Sequence, residues 1–470
     1  MSDNQPVKYL DEEESSSSPC QRCKVENAIL ITRKEKFCQN CFIRFIRGKQ
    51  RKQMQDDKYK VKYGPFIERH GQQKVLLALS GGESSVVLLD VMASLLQEQF
   101  EAHNGKQGFE LIILNLDEFD LNHLNKKVGE ILPLLIKRYS PANIQYKVLA
   151  LNSYILDDSI LDKIVLNDDF TGLSSTIIGS DKSYTLFDIL ELCPNKSSVE
   201  DLLTIIYNEL ILRTAYLEKC QTIIYGHSMT RIANEIIALT VKGRGSIIYE
   251  AISDHSKTYK DQQFQILFPL RDVLYAEIIS YCKLTNMDEF ILQSTIPKSK
   301  INKNLTIRDL TTRYFSQLDA TGYASTASTV VKTGEKLGAP KSDSTSLVTH
   351  CQVCGVEIYQ DPGNWLRNIT VNKAAPIETE EEKEYLESYK ASIGEPEIID
   401  DRYKSVHICY GCIVTLGGVN SVSGFVWPLK DKNTDHFESQ PYLVDSEVEK
   451  QKILDEFILT NDEDEDDDNE

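Results

Sequence analysis

A short apolar strand, a glycine turn and a helix start follow one another at residues 75–85, and this stretch constrains the fold most. It reads Val-Leu-Leu-Ala-Leu-Ser-Gly-Gly-Glu-Ser-Ser. Such a turn places free backbone N–H groups at a helix N-terminus, where phosphate binds. The candidate phosphate-binding residues are Ser80, Gly81, Gly82, Ser84 and Ser85. A Ser-Gly-Gly turn also occurs as a plain tight connection, so both interpretations stay open.

Apolar strands alternate with amphipathic helices from about residue 65 to residue 317. The predicted strands are 75–79, 111–116, 145–151 and 222–225. The predicted helices are 86–99, 125–139, 199–219 and 276–283. Alternation of this kind predicts an α/β fold with a doubly wound parallel sheet.

Changes in composition divide the chain into six predicted segments. They are a disordered leader (1–19), a zinc ribbon with a basic segment (20–63), the α/β domain (64–320, with an insertion or long loop at 152–198), a linker (321–350), a C-terminal zinc module (351–430) and an acidic tail (431–470). No secretory signal or membrane span is recognisable. We therefore expect a soluble, cytoplasmic protein.

The cysteines fall mainly into Cys-x-x-Cys pairs, which place two thiolates on one side of a tight turn. In a reducing compartment such pairs indicate metal binding rather than disulfides. Two sets of four predict two structural zinc sites: Cys20, Cys23, Cys38 and Cys41, then Cys351, Cys354, Cys409 and Cys412. Cys193, Cys220 and Cys282 lie outside these pairs.

The net charge of −19 is unevenly distributed. Acidic runs at 378–387 and 462–468 are of a type that is usually solvated and disordered. One short segment is basic instead, and its Lys and Arg residues are Arg44, Arg47, Lys49, Arg51, Lys52, Lys58, Lys60 and Lys62. Phe42, Phe45 and Tyr59 are interleaved with them. The segment therefore predicts either a tRNA-binding surface, with stacking on an unpaired base, or a solvated helix face.

Two motifs carry a resemblance to a known family. The glycine turn resembles the Ser-Gly-Gly-x-Asp-Ser loop of the N-type ATP pyrophosphatases (PP-loop family), with Ser84 in place of the Asp. The stretch 225–235 resembles a second signature of the tRNA-thiolating members, which has paired acids where this chain has Thr230 and Arg231. Gly226 and His227 match it. The missing acids argue against ATP as a bound cofactor.

The order of the cysteine pairs around this degenerate loop extends the resemblance to residues 20–430. It is similar to the non-catalytic partner subunits of the eukaryotic wobble-uridine thiolase. The resemblance implies an adenine-nucleotide hydrolase-like PP-loop fold without catalytic residues of its own. It also implies a heterodimer with a catalytic paralogue that adenylates uridine 34 in tRNAs for Lys, Glu and Gln. Sulfur would come from a thiocarboxylated ubiquitin-related modifier, the protein of the urmylation pathway.

Two other functions remain open on the residues alone. The chain could be an active, stand-alone ATP-dependent enzyme that modifies tRNA or a small molecule, with Glu83 replacing the missing Asp. It could also be a zinc-bearing RNA adaptor without a nucleotide. Arg231 and Arg244 are weaker RNA-binding candidates than the basic segment.

Overall fold

The computed structural model describes most of the chain between residues 6 and 430. The described residues are 6–63, 71–155, 159–167, 171–177, 184–295, 305–320, 323, 325–340, 349–362, 365–366, 379–392, 403–419 and 424–430. None of the helices in these ranges combines the length and the apolar composition needed to cross a membrane.

Short strands and helices alternate along these ranges. The strands are β1 (Val7–Tyr9), β2 (Leu30–Thr32), β3 (Glu35–Phe37), β4 (Gln73–Ala78), β5 (Phe109–Asp117), β6 (Ile144–Ala150), β7 (Leu161–Leu166), β8 (Gly172–Ile177), β9 (Thr222–Tyr225), β10 (His255–Tyr259), β11 (Gln262–Leu267), β12 (Thr349–His350), β13 (Glu357–Ile358), β14 (Lys404–Val406) and β15 (Phe425–Pro428). The α-helices are α1 (Glu12–Ser16), α2 (Gln39–Gln53), α3 (Glu83–Ala102), α4 (Val128–Lys137), α5 (Leu186–Glu191), α6 (Lys196–Leu217), α7 (Met229–Val241), α8 (Ile248–Ile252), α9 (Tyr275–Thr285), α10 (Ile307–Ala320), α11 (Ser325–Gly334), α12 (Glu380–Ser392) and α13 (Tyr410–Leu416). Single 3-10 turns lie at Asp57–Tyr59, Leu151–Tyr154, Gly245–Ile247 and Asp288–Phe290.

A six-stranded sheet in the order β10-β11-β9-β4-β5-β6 forms the centre of the molecule. All neighbours are parallel except β10, which pairs antiparallel with β11. The strands are continuous apolar runs because helices cover both faces of the sheet. Each predicted strand and helix is present, with ends shifted by at most three residues. The predicted doubly wound sheet, flanked by two cysteine modules, is confirmed.

The chain order reverses between β4 and β9. In open α/β sheets the crevice for a ligand lies at such a reversal, beyond the carboxyl ends of the strands. The turn after β4 carries the Ser-Gly-Gly sequence, and the turn after β9 carries Gly226 and His227. The two motifs that were singled out in the sequence therefore meet at one edge of the sheet.

The predicted disordered leader, residues 1–19, is wrong for the described residues 6–19. β1 pairs antiparallel with β2, with Val7 opposite Thr32. The Thr32 hydroxyl also donates to the Pro6 carbonyl oxygen at 3.0 Å. A three-residue edge strand is too short to stand out in a polar and acidic sequence.

The N-terminal cysteine module packs on the α/β domain as part of one hydrophobic core. The Arg33 guanidinium donates two 2.8 Å hydrogen bonds to the buried Glu277 carboxylate on α9. Arg47 on α2 donates to the Tyr281 hydroxyl at 3.1 Å and to Ser94 Oγ at 2.8 Å. These contacts fix the module against α3 and α9.

The predicted insertion and the predicted C-terminal module are not separate units. A four-stranded antiparallel sheet has the order β14-β8-β7-β15, in which β7 and β8 come from the insertion and β14 and β15 from the C-terminal module. Phe425 lies opposite Ile164, and Trp427 lies opposite Asp162. Trp427 is fully buried, and its indole N–H donates to the Val353 carbonyl oxygen at 3.2 Å. Local sequence patterns carry no information about pairing across more than 230 residues.

Two further boundaries also differ from the prediction. The predicted linker 321–350 contains α11, which packs on α7 with Ala327 and Val331 buried. A Cβ at Gly334 would lie 2.6 Å from Ile236 Cδ1, so the fit is close. The acidic run 378–387 contributes to α12 instead of a disordered loop, because Glu residues at a helix start favour the helix dipole. The predicted tail 431–470 lies outside the described residues.

Replacing Trp427 tests whether the two segments form one module. We expect W427A to lower the free energy of unfolding by about 3–5 kcal/mol, as for other buried Trp to Ala changes. The matched control is W365A, because Trp365 is 41% exposed; the expected loss there is below about 1 kcal/mol. Urea unfolding followed by circular dichroism measures both.

Limited proteolysis of W427A then separates the two arrangements. If the sheet is shared, residues 159–177 and 403–430 become cleavable together. Cleavage confined to 403–430, with 159–177 still protected, would contradict the shared sheet.

Candidate functional site

The N-terminal cysteines converge on one point. Cys20 and Cys23 lie in the turn that precedes β2, Cys38 caps the N-terminus of α2, and Cys41 lies in its first turn. Their four sulfur atoms lie within 4.8 Å of one another, and the Cys23 and Cys38 sulfurs are 3.8 Å apart. Burial raises the pKa of the Cys20 thiol, but hydrogen bonds from the backbone N–H groups of Cys23 and Cys38 outweigh it and lower the pKa to about 6. Burial raises the pKa of the Cys38 and Cys41 thiols, so Cys20 ionises more readily than either of them.

The C-terminal cysteines repeat this arrangement. Cys351 and Cys354 lie in a tight turn after β12, closed by the Gly355 N–H donating to the Cys351 carbonyl oxygen at 2.7 Å. Cys409 caps α13, and Cys412 lies in its first turn. The Cys354 and Cys409 sulfurs are 3.6 Å apart, and all four sulfurs lie within 4.8 Å of one another.

Both sets fit a single tetrahedral metal ion. A zinc tetrathiolate with Zn–S bonds of about 2.3 Å has sulfur–sulfur edges of about 3.8 Å, close to the separations observed in both sets. In an iron–sulfur cluster the four cysteines are divided between two or more irons, so at least some of their sulfurs lie farther apart. Each set could therefore hold one metal ion with four cysteine ligands. His407 is exposed and does not belong to the C-terminal set.

The predicted phosphate loop is a tight turn at the start of α3, and two of its hydroxyls form hydrogen bonds within the turn. Gly81 has a φ of +80°, and α3 begins at Glu83. The Gly81 carbonyl oxygen accepts from the Leu292 N–H at 2.9 Å. Ser85 is buried; its hydroxyl donates to the Gly82 carbonyl oxygen at 2.9 Å and accepts from Ser80 Oγ at 3.2 Å. Ser84, Ser80 and Gly82 line the crevice.

The turn after β9 packs directly on this loop. A Cβ at Gly226 would lie 2.8 Å from Ser85 Cα, so a larger residue would separate the two turns. The His227 ring stacks on Phe268 with ring centres 5.3 Å apart. Burial, assisted by the Arg231 charge, lowers the pKa of His227 to about 4, so the ring is neutral near pH 7. The neutral His227 ring, stacked on Phe268, stabilises the turn after β9.

Thr230 and Arg231 stand where the resembled signature has paired acids, and both make contacts within the protein. Thr230 Oγ1 accepts from the Tyr275 N–H at 3.1 Å. The Arg231 guanidinium lies 3.8 Å from the Glu235 carboxylate. Burial is the main cause that raises the pKa of Tyr275 to about 12, and the adjacent Glu83 carboxylate contributes to the rise. Among the described residues, only the two cysteine sets bring three or more metal-binding side chains together.

A buried network of charges lies between the crevice and the C-terminal centre. Its members are Glu200, Asp201, Glu235, Lys242, Arg244 and Arg308. Arg308 donates to both oxygens of Glu235, at 3.0 and 2.6 Å. Burial raises the pKa of Glu235, but these hydrogen bonds outweigh it and bring the pKa to about 2. Arg244, a weaker RNA-binding candidate, is only 7% exposed and belongs to this network, so that prediction is wrong.

The basic segment is partly engaged in contacts within the protein. Arg47 and Arg51 both pair with Glu98, Lys58 lies 3.7 Å from Asp56, and Lys60 lies 2.7 Å from Asp57. Arg44 and Lys52 are exposed, and Lys49 and Lys62 are half-buried. Phe42 and Tyr59 are buried, so the predicted stacking of these two rings on a base is wrong.

Two further cations, Arg22 and Arg33, lie beside the basic segment, which their spacing in the sequence does not reveal. The half-buried Phe45 ring is surrounded by Arg22, Arg33 and Lys49, whose charged groups lie 5.2, 5.5 and 5.5 Å from the ring centre. Arg22 and Arg33 come from turns before and after β2, and the fold brings them to α2. Residues 6–63 hold fourteen Lys and Arg against eight Asp and Glu. The N-terminal module is therefore positive in a chain that is negative overall.

A cavity of 1580 Å³ extends from the loop to the C-terminal centre. Ser80, Gly82 and His227 lie at one end, and Cys354 and Gly355 at the other. Two acids in its wall are affected by desolvation. Burial raises the pKa of Glu118 and raises the pKa of Asp319 to about 6.

Comparison with known proteins places the chain in a family. The family model for cytoplasmic tRNA 2-thiolation protein 2 matches residues 306–414. Under that name, a protein of Scheffersomyces stipitis is 62% identical over 464 residues, which are 98% of this chain and 100% of that protein. The Debaryomyces hansenii protein is 61% identical (98% and 99%), and the Saccharomyces cerevisiae S288c protein is 32% identical over 495 residues (94% and 99%). Among solved structures, the chain is similar to the U34-tRNA thiolase NcsA from Methanococcus maripaludis with its 4Fe-4S cluster, at 16% identity and a TM-score of 0.47, over 77% of this chain and 99% of that one. The full-length similarity to these relatives shows that the chain belongs to the cytoplasmic tRNA 2-thiolation protein 2 family.

Proposed function

We propose that the chain is a non-catalytic subunit of a cytoplasmic tRNA thiolase, required for 2-thiolation of wobble uridine 34 in tRNAs for Lys, Glu and Gln. Its partner would be a catalytic paralogue that adenylates the uridine. That paralogue would transfer sulfur from a thiocarboxylated ubiquitin-related modifier. The relatives named for tRNA 2-thiolation support the process. The observation that carries the non-catalytic role is that Thr230 and Arg231, which stand where acids are missing, contact Tyr275 and Glu235 instead.

Adenylation turns the C2 oxygen of uridine into a leaving group, which a sulfur nucleophile displaces. When ATP is cleaved, a metal ion neutralises the charge of the departing pyrophosphate. Carboxylate side chains usually hold that ion. Ser84 and Thr230 carry no charge, and Arg231 faces Glu235. Glu83, the possible replacement, lies against Tyr275. These contacts support a structural role for the crevice, in which it takes no part in adenylation.

The two four-cysteine sets support structural zinc. Four cysteines close the coordination sphere, which is typical of structural rather than catalytic sites. The ion would cross-link the turn before β2 to α2 in the N-terminal module, and the turn after β12 to α13 in the C-terminal module. Small modules of this kind draw much of their folding free energy from the metal.

The positive N-terminal module supports a contact with tRNA phosphates. Arg44 and Lys52 are exposed, and neither makes an ion pair within 4 Å among the described residues. Arg22 and Arg33 border the same ring of Phe45. Arg47 is better understood as a structural residue, because its guanidinium bonds Tyr281 and Ser94.

The first test measures catalysis. The isolated chain should release neither AMP nor pyrophosphate from ATP in the presence of tRNA, and addition of the catalytic paralogue should produce 2-thiouridine. E83Q in the heterodimer should leave the thiolation rate within about twofold, since surface changes away from the chemistry are usually small. Turnover by the isolated chain that E83Q abolishes would establish the stand-alone enzyme instead.

The second test measures metal. Elemental analysis should find about two zinc ions per chain, one for each tetrathiolate. Replacing Cys20 and Cys23 by Ser should remove one ion and destabilise the N-terminal module, and replacing Cys351 and Cys354 should remove the other. Unchanged metal content and thermal stability in either double variant would show that its site does not exist.

The third test measures RNA binding. R44E combined with K52E should weaken tRNA binding by the heterodimer. The slope of log affinity against log salt should also become shallower by about 1 to 2, because fewer counterions are released on binding when phosphate contacts are lost. The control is K332E combined with K336E, the same charge change on exposed residues around α11. Equal effects of both pairs would mean that only the overall charge matters, and the N-terminal surface would lose its role.

A further inference from the structure

We propose that Arg244 is the cation that balances the loaded C-terminal cysteine centre and that it couples this centre to the wall of the crevice. The proposal rests on the metal assigned under the proposed function. It assigns Arg244 a positioning role that neither cysteine motif reveals.

The electrostatic need comes from burial. A divalent ion with four thiolates has a net charge of −2, and Cys351 and Cys412 are fully buried. A buried charge is costly unless an opposite charge and hydrogen bonds compensate it. The Arg244 guanidinium is itself buried, and its Nη2 lies 3.7 Å from Cys412 Sγ. A guanidinium N–H donating to a metal-bound thiolate supplies that compensation.

Two glycines bring the arginine to the cysteines. Gly243 ends α7 with a φ of +69°, and the following Arg244 N–H donates to the Leu239 carbonyl oxygen at 2.8 Å. A Cβ at Gly243 would lie 2.4 Å from the Tyr410 ring. A Cβ at Gly411 would lie 2.6 Å from Arg244 Cγ. The Gly-Arg turn and the Cys-Tyr-Gly-Cys turn therefore approach as closely as their backbones allow.

The same guanidinium also contacts residues of the crevice wall. Nη2 donates to Thr415 Oγ1 at 2.9 Å, and Nε lies 3.6 Å from Asp201 on α6. The Thr415 hydroxyl lies 3.1 Å from the same carboxylate oxygen, Asp201 Oδ2. Asp201 therefore contacts both Arg244, which lies beside the cysteines, and the charged network behind the crevice.

The network continues from Asp201 to the crevice. Asp201 accepts from Lys242 at 2.7 Å and lies 3.6 Å from Arg308, whose guanidinium holds Glu235. Glu235 and Arg308 line the cavity together with the phosphate loop. Buried charges in contact respond together when one is removed. Loss of the metal would therefore loosen α6, α7 and α10 as well as the cysteine turns.

The experiment uses the full chain with both metals bound. Zinc release to a chromophoric chelator should show two phases, assigned with the two double cysteine variants. We expect R244M to speed the C-terminal phase by about 10-fold to 100-fold, the usual effect of losing a group that hydrogen-bonds a metal ligand. R244K should lie in between, because a lysine keeps the charge but cannot contact Cys412, Thr415 and Asp201 at once.

The matched control is R22M. Arg22 lies between Cys20 and Cys23 and is exposed, with its guanidinium 2.9 Å from Glu35. Its removal should leave both release phases within about twofold. Hydrogen exchange supplies a second readout: loaded R244M should lose protection in α6, α7 and α10, as should the wild-type chain after metal removal.

Each outcome decides the proposal. A folded R244M with an unchanged C-terminal phase would overturn it, as would a loss of protection confined to α13. If R244M fails to fold, T415V carries the test and should speed the same phase alone; an unchanged phase there overturns the coupling. A wild-type chain without metal would instead refute the zinc assignment of the proposed function.

Discussion

The buried carboxylate of Asp201 is the contact on which the arrangement around the crevice depends. Lys242, Arg244 and Arg308 converge on it from the end of α7, the turn after it, and α10. A lone buried carboxylate would be strongly destabilising, whereas this one is surrounded by cations and a hydroxyl. Because its partners come from distant parts of the chain, Asp201 joins the sheet domain to the C-terminal cysteine module.

A second buried carboxylate has the same function for the N-terminal module. The Asp90 oxygens accept from the Tyr139 and Tyr281 hydroxyls, each at 2.6 Å, and lie 3.7 Å from Arg47 on α2. The four-cysteine sets gather the turns of each module locally, and these two aspartates connect the modules to α3 and α6. A substitution at either Asp would remove the partner that its cations and hydroxyls share, and a buried polar group that loses a partner costs more than the net value of the contact.

The sequence predicted what depends on local pattern. The central strands and helices follow from apolar runs and periodicity, and the cysteine sets follow from repeated spacing. The errors concern two helices, α11 and α12, in segments that were predicted to be irregular, and pairing over long distances. Nothing local indicates that Phe425 faces Ile164, or that Val7 adds a strand beside Thr32. Burial of Arg244 was equally invisible, because a Gly-Arg-Gly sequence is typical of an exposed turn, and only the cysteine module covers it.

The phosphate loop shows why a retained motif is weak evidence for a retained ligand. Gly81 is required by its positive φ and by Leu292, whose Cδ1 would lie 2.3 Å from a Cβ there. Gly226 is required by the backbone of Ser84 and Ser85. Both glycines would thus be kept by packing alone, even in a chain that binds no nucleotide. Glycines beside the uncharged Ser84 and Thr230 are compatible with the scaffold role that we propose for the crevice.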